Sequence, residues 1–228
     1  MRPSFFFACA TAAATATTLM CATPAAAQHS RTALHAAVEQ QDLEGLQALL
    51  ALPEGQRMLE ARDPQGRTAL LLATVLGHTA LATSLINAGA NVNAQDHQRD
   101  SAYLLAGAEG NLPILRLALA HGADLRSTNR FGGTALIPAA ERGHGEAVGL
   151  LIAAGVDVNH VNRLGWTALL EAVILSDGGP VHQDIARQLI AAGADVNLPD
   201  HDGVTPLAHA ERRGQQAMAA LLRAAAGR

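Results

Sequence analysis

A fixed period of 33 residues constrains this chain more than any other feature of its sequence. Each copy opens with a small hydroxyl residue that is followed by a small and then an apolar residue, as in T-A-L and S-A-Y. The opening residues of the successive copies are Thr32, Thr68, Ser101, Thr134, Thr167 and Thr205. Inserts of three and five residues lengthen the spacing after the first and the fifth copy. Such a period predicts a solenoid in which each unit buries its apolar face against the next one.

The copies share further residues at matching positions. One copy contains Asp63-Gly66-Thr68-Leu70-Ala73, Gly77-His78, Leu85-Ile86 and Gly89-Ala90-Asn91-Val92-Asn93, and the stretch from Asn129 to Asn159 repeats this order. The pattern resembles the ankyrin repeat, from Arg31 to the C-terminus. The resemblance implies an all-α solenoid of about six helix-turn-helix repeats with projecting β-turn fingers. The expected copies are 30–62, 63–95, 96–128, 129–161, 162–199 and 200–228.

Within each copy the residue types favour two antiparallel helices. The opening hydroxyl is placed to cap the first helix, and a glycine follows each helix where a left-handed backbone ends it. We expect one copy to pack on the next through apolar residues of both helices. For the second and third copies these are Leu70, Ala73, Leu85 and Ile86 against Tyr103, Ala106, Leu117 and Leu119.

Several positions depart from the family pattern. The histidine expected after the opening motif is present only as His35, and Arg99 stands where a turn glycine is expected. Pro138 falls about four residues into a predicted helix, where it removes a hydrogen bond. The end copies are polar, with Gln41-Asp42 in the first and Glu211-Arg212-Arg213 and Gln215-Gln216 in the last. We expect these polar residues to form the solvated outer faces of capping repeats.

Residues 1–27 have a different composition. Arg2 precedes an apolar stretch rich in Phe, Ala and Thr, and small residues end it before Gln28. This is typical of a secretory signal peptide that is cleaved after Ala27, leaving residues 28–228 as the repeat domain. A lipoprotein signal at Cys21 is the alternative, although the residues before it lack the small side chain that lipidation requires. Absent lysine and abundant alanine favour a bacterial source, so the expected location is the periplasm, with secretion as the alternative.

Charge and composition exclude several functional classes. Both cysteines, Cys9 and Cys21, lie in the segment predicted to be removed, so disulfides and thiolate chemistry are not expected. All 16 basic residues are arginines, which excludes a Schiff-base lysine and a P-loop. The net charge is −4 and no basic face is evident, so nucleic acid is not an expected partner. No later stretch is long and apolar enough to span a membrane, and we expect a monomer.

The ten histidines do not form a catalytic or metal-binding pattern. Four of them, His35, His78, His121 and His144, occupy positions that the ankyrin pattern favours, where the expected role is structural. The remaining metal candidate is His201-Asp202 beside Asp200, and a solvated turn is the alternative. No serine lies in a G-x-S-x-G elbow. We therefore expect no catalytic residue, no metal and no cofactor, and a chain that is not an enzyme.

The aromatic residues carry the main functional prediction. After cleavage only Tyr103, Phe131 and Trp166 remain, and Tyr103 falls at a core position. Phe131 and Trp166 lie between the first residue of a copy and its cap, which the resemblance places at finger tips that contact partners. The predicted binding set is apolar at its centre with polar and basic residues around it: Phe131, Leu164, Trp166, Leu175, Arg130, Arg142, Arg163, His97 and Gln98. The alternative is that the two rings pack on each other.

The five-residue insert, at about 176–180, follows Leu175 in the fifth copy. Its Gly-Gly-Pro sequence is typical of a tolerated surface loop, and a wall of the binding groove is the alternative.

These observations predict a non-catalytic module that binds another protein in a concave groove, as the family resemblance implies, without naming the partner. Two alternatives remain. One is an effector exported further to act on a host protein, and the other is a hydrolase or metal-dependent enzyme that uses His and Asp side chains in the groove.

Overall fold

A computed structural model describes residues 31–227, which form thirteen α-helices and no strand. The signal-peptide prediction for residues 1–27 lies outside the described residues. The helices are α1 (Ala33–Glu39), α2 (Leu43–Leu50), α3 (Pro53–Met58), α4 (Ala69–Val75), α5 (Thr79–Asn87), α6 (Ala102–Ala108), α7 (Leu112–Ala120), α8 (Leu136–Glu141), α9 (Gly145–Ala154), α10 (Ala168–Ile174), α11 (Pro180–Ala191), α12 (Pro206–Arg212) and α13 (Gln216–Ala226). None of the helices within 31–227 is long and apolar enough to cross a bilayer.

The helices form hairpins that stack side by side, and this confirms the predicted solenoid. The first helices of successive hairpins, α1, α4, α6, α8, α10 and α12, pack on one another in chain order, and the second helices form a parallel row behind them. The buried side chains from α1 to α13 make one continuous apolar core. Alanines such as Ala73, Ala106, Ala139 and Ala172 are completely buried, which lets neighbouring helices approach closely.

The predicted caps are present at four of the copies. Thr68, Ser101, Thr167 and Thr205 each accept a hydrogen bond from the backbone N–H three residues later, at 3.2–3.3 Å. In the first copy, the Oγ1 of Thr32 lies 2.9 Å from Nδ1 of His35, and Nε2 of the same ring lies 3.0 Å from the carbonyl oxygen of Arg67. His35 therefore has the structural role that was expected for it, and its ring links the first copy to the second.

The cap predicted at Thr134 is wrong. Helix α8 begins at Leu136, and Ala135 is its capping residue. Pro138 lacks the N–H that would bond to the carbonyl oxygen of Thr134, so this carbonyl accepts instead from Ile137 at 3.3 Å in a tighter turn. The hydroxyl of Thr134 is buried without a hydrogen-bond partner. The proline thus shifts the helix start by one residue and leaves the threonine without its usual role.

The packing of α7 also differs from the sequence prediction. Ile114, Leu115 and Ala118 are its fully buried residues, whereas the expected Leu117 and Leu119 are only partly buried at its edge. Tyr103 is completely buried, as predicted, and its hydroxyl has no hydrogen-bond partner.

The end copies contain two further differences. The first insert forms an additional short helix, α3, with Pro53 at its first position. In the last copy, Gln215 was expected on a solvated face but is buried. Its Nε2 donates to the carbonyl oxygens of Val173 and Ser176, both at 3.0 Å. Gln215 therefore holds the loop between Leu175 and Gly179, where the second insert lies.

The fingers are the tight turns that precede each first helix. At their first position, Asp63, Asp96, Asn129, Asn162 and Asp200 accept hydrogen bonds from the backbone N–H groups two and four residues later. Arg99 has a φ of 61°, so this finger adopts the left-handed turn that glycine provides elsewhere. Adjacent fingers are joined by backbone bonds, for example from Arg163 N to Phe131 O at 2.9 Å.

Candidate partner-binding groove

A groove of about 360 Å³ lies where α6, α8 and α10 meet the fourth finger (residues 129–133) and the fifth finger (residues 162–166). Six of the nine residues in the predicted binding set line it: Arg130, Phe131, Arg142, Leu164, Trp166 and Leu175. The structure thus brings together side chains that are up to 45 positions apart in the sequence. Each of them comes from a finger or from a helix end, because those are the parts of the repeat that face away from the core.

The apolar side chains of the groove are unusually exposed. Phe131 is 49% exposed, Leu164 is 50% exposed and Leu175 is 47% exposed. Trp166 is half-buried at the end of the fifth finger, and Ile137 and Pro138 of α8 lie at the floor. No ring contact joins Phe131 to Trp166 in the described part of the chain. These side chains form an apolar surface that is not needed for the core.

The two arginines of the groove already have partners within the chain. Arg130 lies 3.2 Å from Asp100, and its guanidinium carbon is 4.7 Å from the centroid of the Phe131 ring, a cation–π contact. Arg142 pairs with Glu109 and also donates to the carbonyl oxygen of Ala108 at 3.2 Å. Burial raises the pKa of Asp100 above its usual value, although the Arg130 charge opposes this. The arginines are thus positioned by carboxylates of the preceding copy.

A buried carboxyl group lies at the floor of the groove, and no sequence motif pointed to it. Glu171 of α10 is only 5% exposed, and its Oε1 accepts a hydrogen bond of 2.8 Å from Nδ2 of Asn162. Burial, followed by the nearby charge of Glu141, raises the pKa of Glu171 to about 7. Glu141 of α8 also lines the groove, and its carboxylate belongs to none of the ion pairs among residues 31–227.

The repeat register contains the signal that could have revealed Glu171. The residue four positions after the cap is Leu72 in the second copy and Leu105 in the third, and it is Glu171 in the fifth. A carboxyl group therefore occupies a position that leucine fills in the second and third copies, whereas the first, fourth and sixth copies have Ala36, Pro138 and His209 there. Asn162 is the matching change in the finger, because an aspartate there, as in Asp63 or Asp200, would repel the Glu171 carboxylate.

Three members of the predicted set do not line the groove. Arg163 lies across the fingers, and its Nη1 donates to the carbonyl oxygen of Arg130 at 3.0 Å. Its side chain also covers Gly132, since a Cβ built there would lie 2.9 Å from Cγ of Arg163. His97 and Gln98 are exposed on the third finger (residues 96–100), beside the groove. They remain predictions for an extended contact surface.

The metal candidate His201-Asp202 beside Asp200 is not arranged as a metal site. Asp200 accepts a hydrogen bond of 2.6 Å from Nε2 of His209, a pair that the sequence pattern did not predict. The backbone N–H of Val204 and then the His209 ring lower the pKa of Asp200. Within the described residues, no group of three or more His, Cys, Asp or Glu side chains is placed to hold a metal ion.

The stacked hairpins and the projecting fingers define a helical-repeat protein with a lateral groove. An ankyrin-repeat family model matches residues 5–96 and 103–200. The ankyrin repeat domain of a protein from Acinetobacter baumannii AYE is 54% identical with a TM-score of 0.81, and the match covers 85% of this chain and 97% of that one. The chain therefore belongs to the ankyrin-repeat family. No match is found among the curated proteins.

Two other solved structures are similar. The ankyrin repeat protein EF0377 is 38% identical with a TM-score of 0.80, over 84% of this chain and 96% of that chain. The ankyrin repeat domain of Bcl-3, a member of the IkappaB family, is 29% identical with a TM-score of 0.76, over 86% and 87% of the two chains. Ankyrin repeats are general modules for binding other proteins and are typically non-catalytic.

Proposed function

We propose that this protein is a non-catalytic binding module that holds an exposed segment of another protein in the groove between the fourth and fifth fingers. The observation that carries the proposal is the cluster of Phe131, Leu164, Leu175 and Trp166, because three of these side chains are about half exposed. An apolar centre framed by arginines is the composition of a binding hot spot. The preformed backbone of the groove supports binding with little ordering cost.

The test is affinity capture with the wild-type chain and with the Phe131→Ala/Trp166→Ala double variant. We expect a captured protein to bind the wild type in purified form and to lose at least about tenfold in affinity with the double variant, because aromatic side chains are enriched among the few residues that carry most of the binding energy of an interface. The matched control is Val75→Ala, since Val75 is 49% exposed but lies outside the groove. Equal affinity for wild type and the double variant, with the fold intact by circular dichroism, would contradict binding in the groove.

We also propose that the module acts in the bacterial periplasm, after export and cleavage following Ala27, and that it acts as a monomer. The apolar stretch and the small residues before Gln28 support export. Cell fractionation with N-terminal sequencing of the mature chain tests the location. Recovery of the uncleaved chain from the cytoplasm would contradict it. Light scattering on the eluting peak of a sizing column tests the monomer.

A further inference from the structure

The ionisable side chains of the groove do not balance one another. Four carboxyl groups line it, those of Asp100, Glu109, Glu141 and Glu171, against the two guanidinium groups of Arg130 and Arg142. The ion pairs Asp100–Arg130 and Glu109–Arg142 account for both arginines. Glu141 and Glu171 are left without a cation from the described part of the chain. When they are ionised, the floor of the groove carries an excess of negative charge.

The surroundings of these two carboxyl groups are suited to a cation. Glu171 is held in place by Asn162 and is almost completely buried, so its orientation is fixed before any ligand arrives. The indole of Trp166 lines the same groove and carries no guanidinium of the described chain on its face, in contrast to the ring of Phe131. A cation between a carboxylate pair and an aromatic face gains both Coulomb and cation–π attraction.

We infer that the groove binds a basic side chain, an arginine or a lysine, of an extended partner segment, with Glu141 and Glu171 as its counter-ions and Trp166 beside it. The apolar neighbours of that basic residue contact Phe131, Leu164 and Leu175. This inference rests on the proposed function, because it names the chemistry of the partner at the same groove. It goes further in assigning the specificity to two carboxyl groups rather than to the apolar side chains of the groove.

A matched peptide selection tests the inference. A library of random linear peptides displayed on phage is selected for binding to the full chain and counter-selected against the Phe131→Ala/Trp166→Ala variant. Both steps are carried out at about pH 8, where the Glu171 carboxyl group is ionised. The same selection is repeated on a Glu141→Gln/Glu171→Gln variant. We expect the groove-dependent peptides to be enriched in Arg or Lys with apolar neighbours, and this enrichment to be lost with the glutamine variant.

Calorimetry on one selected peptide makes the test quantitative. Replacing its basic residue by a neutral analogue of similar shape, citrulline for arginine or norleucine for lysine, is expected to weaken binding to wild type by about tenfold or more. With the glutamine variant the same replacement is expected to have little effect. Glu146→Gln is the control, because Glu146 is exposed on α9 outside the groove, and it should keep the full preference. The amide that Glu171→Gln introduces retains an oxygen to accept from Asn162, so the fold should be preserved.

The outcomes separate this inference from the proposed function. Groove-dependent peptides without basic residues, or an unchanged preference in the glutamine variant, would overturn the inference and leave the binding module standing. If no peptide depends on the groove, both are overturned. A basic preference that disappears only with the Glu141 and Glu171 substitutions supports both.

Discussion

At the scale of single residues, the threonines at the same position of the fourth and fifth copies have different roles. Thr167 caps α10, with its hydroxyl accepting from Leu170 N at 3.2 Å, whereas Thr134 is buried with an unpartnered hydroxyl. A lost cap costs about 1 kcal/mol, while removing a buried hydroxyl that bonds to nothing costs little. The chain therefore contains its own control for the value of a cap.

We expect Thr167→Ala to lower the free energy of unfolding by about 1 kcal/mol. Thr134→Val, which keeps the shape and removes the unpartnered hydroxyl, should leave that free energy unchanged or raise it. Urea unfolding followed by circular dichroism measures both. An equal loss in the two variants would show that the hydroxyl at position 134 has a partner after all.

A substitution at Gly155 measures the cost of backbone strain alone, because an added Cβ meets no neighbouring atom. It ends α9 with a φ of 92°, and a Cβ at this position would meet no atom within 4 Å. We expect Gly155→Val to lower the free energy of unfolding by about 1–2 kcal/mol, because a branched side chain is strained in the left-handed region. Gly145→Ala is the control, since Gly145 is helical and the nearest atom to its Cβ would be 3.6 Å away. Thermal unfolding of both variants provides the measurement, and an unchanged melting temperature for Gly155→Val would contradict the assigned helix end.

At the scale of helices and loops, the loop that contains the insert of the fifth copy is fixed by hydrogen bonds from a side chain of the sixth copy. Helix α10 ends at Ile174, and the loop that follows turns through Gly178 before Pro180 starts α11. The Gln215 amide crosses from the start of α13 and donates to two carbonyl oxygens of that region. Leu175, at the loop's beginning, lines the groove. The position of Leu175 in the groove thus depends on a glutamine in the next copy.

We expect Gln215→Ala to lower the free energy of unfolding by about 1–3 kcal/mol, because buried carbonyl groups lose their donor. Gln216→Ala is the control, since Gln216 is exposed next to it. Hydrogen exchange should also show faster opening of the segment from Val173 to Gly179 in the first variant only. Equal stability of the two variants would mean that the loop keeps its conformation without the amide.

The sequence predicted the hairpins, four of the caps and the glycine turns, because these depend on short-range patterns that recur from copy to copy. It did not predict the late start of α8, since the shift depends on how Pro138 meets the Thr134 carbonyl. The groove could be predicted only in part. The repeat register places finger residues such as Phe131. The raised pKa of Glu171, however, is caused by burial and by the charge of Glu141, which is 30 positions earlier in the sequence. Burial of a single side chain is a tertiary property.

At the scale of the whole molecule, stacking separates stability from binding. The core is continuous along the solenoid, so the fingers and the groove floor are free to carry residues that lower stability. Glu171 is such a residue. Asn162 donates to it from the finger, Glu141 faces it from α8, and α11 contributes His182, whose Nε2 lies 2.9 Å from the Glu141 carbonyl oxygen. From α12 comes His209, which is bonded to Asp200. None of these groups supplies a cation that is paired with Glu171.

The pH dependence of stability follows from this arrangement. The pKa of Glu171 is raised from 4.5 to about 7 in the folded chain, so between these values the folded state binds more protons than the unfolded state. The free energy of unfolding should therefore fall as the pH rises from about 4.5 to 7, by about 2–3 kcal/mol from this group. Urea unfolding across this range compares wild type with Glu171→Gln, which should lack this part of the slope and be the more stable chain at about pH 8. Glu146→Gln should behave as wild type. Parallel plots of unfolding free energy against pH for wild type and Glu171→Gln would contradict the raised pKa of Glu171.

A basic ligand in the groove should recover part of the stability that is lost above the folded-state pKa of Glu171, because it binds the ionised form of Glu171 more tightly than the protonated form.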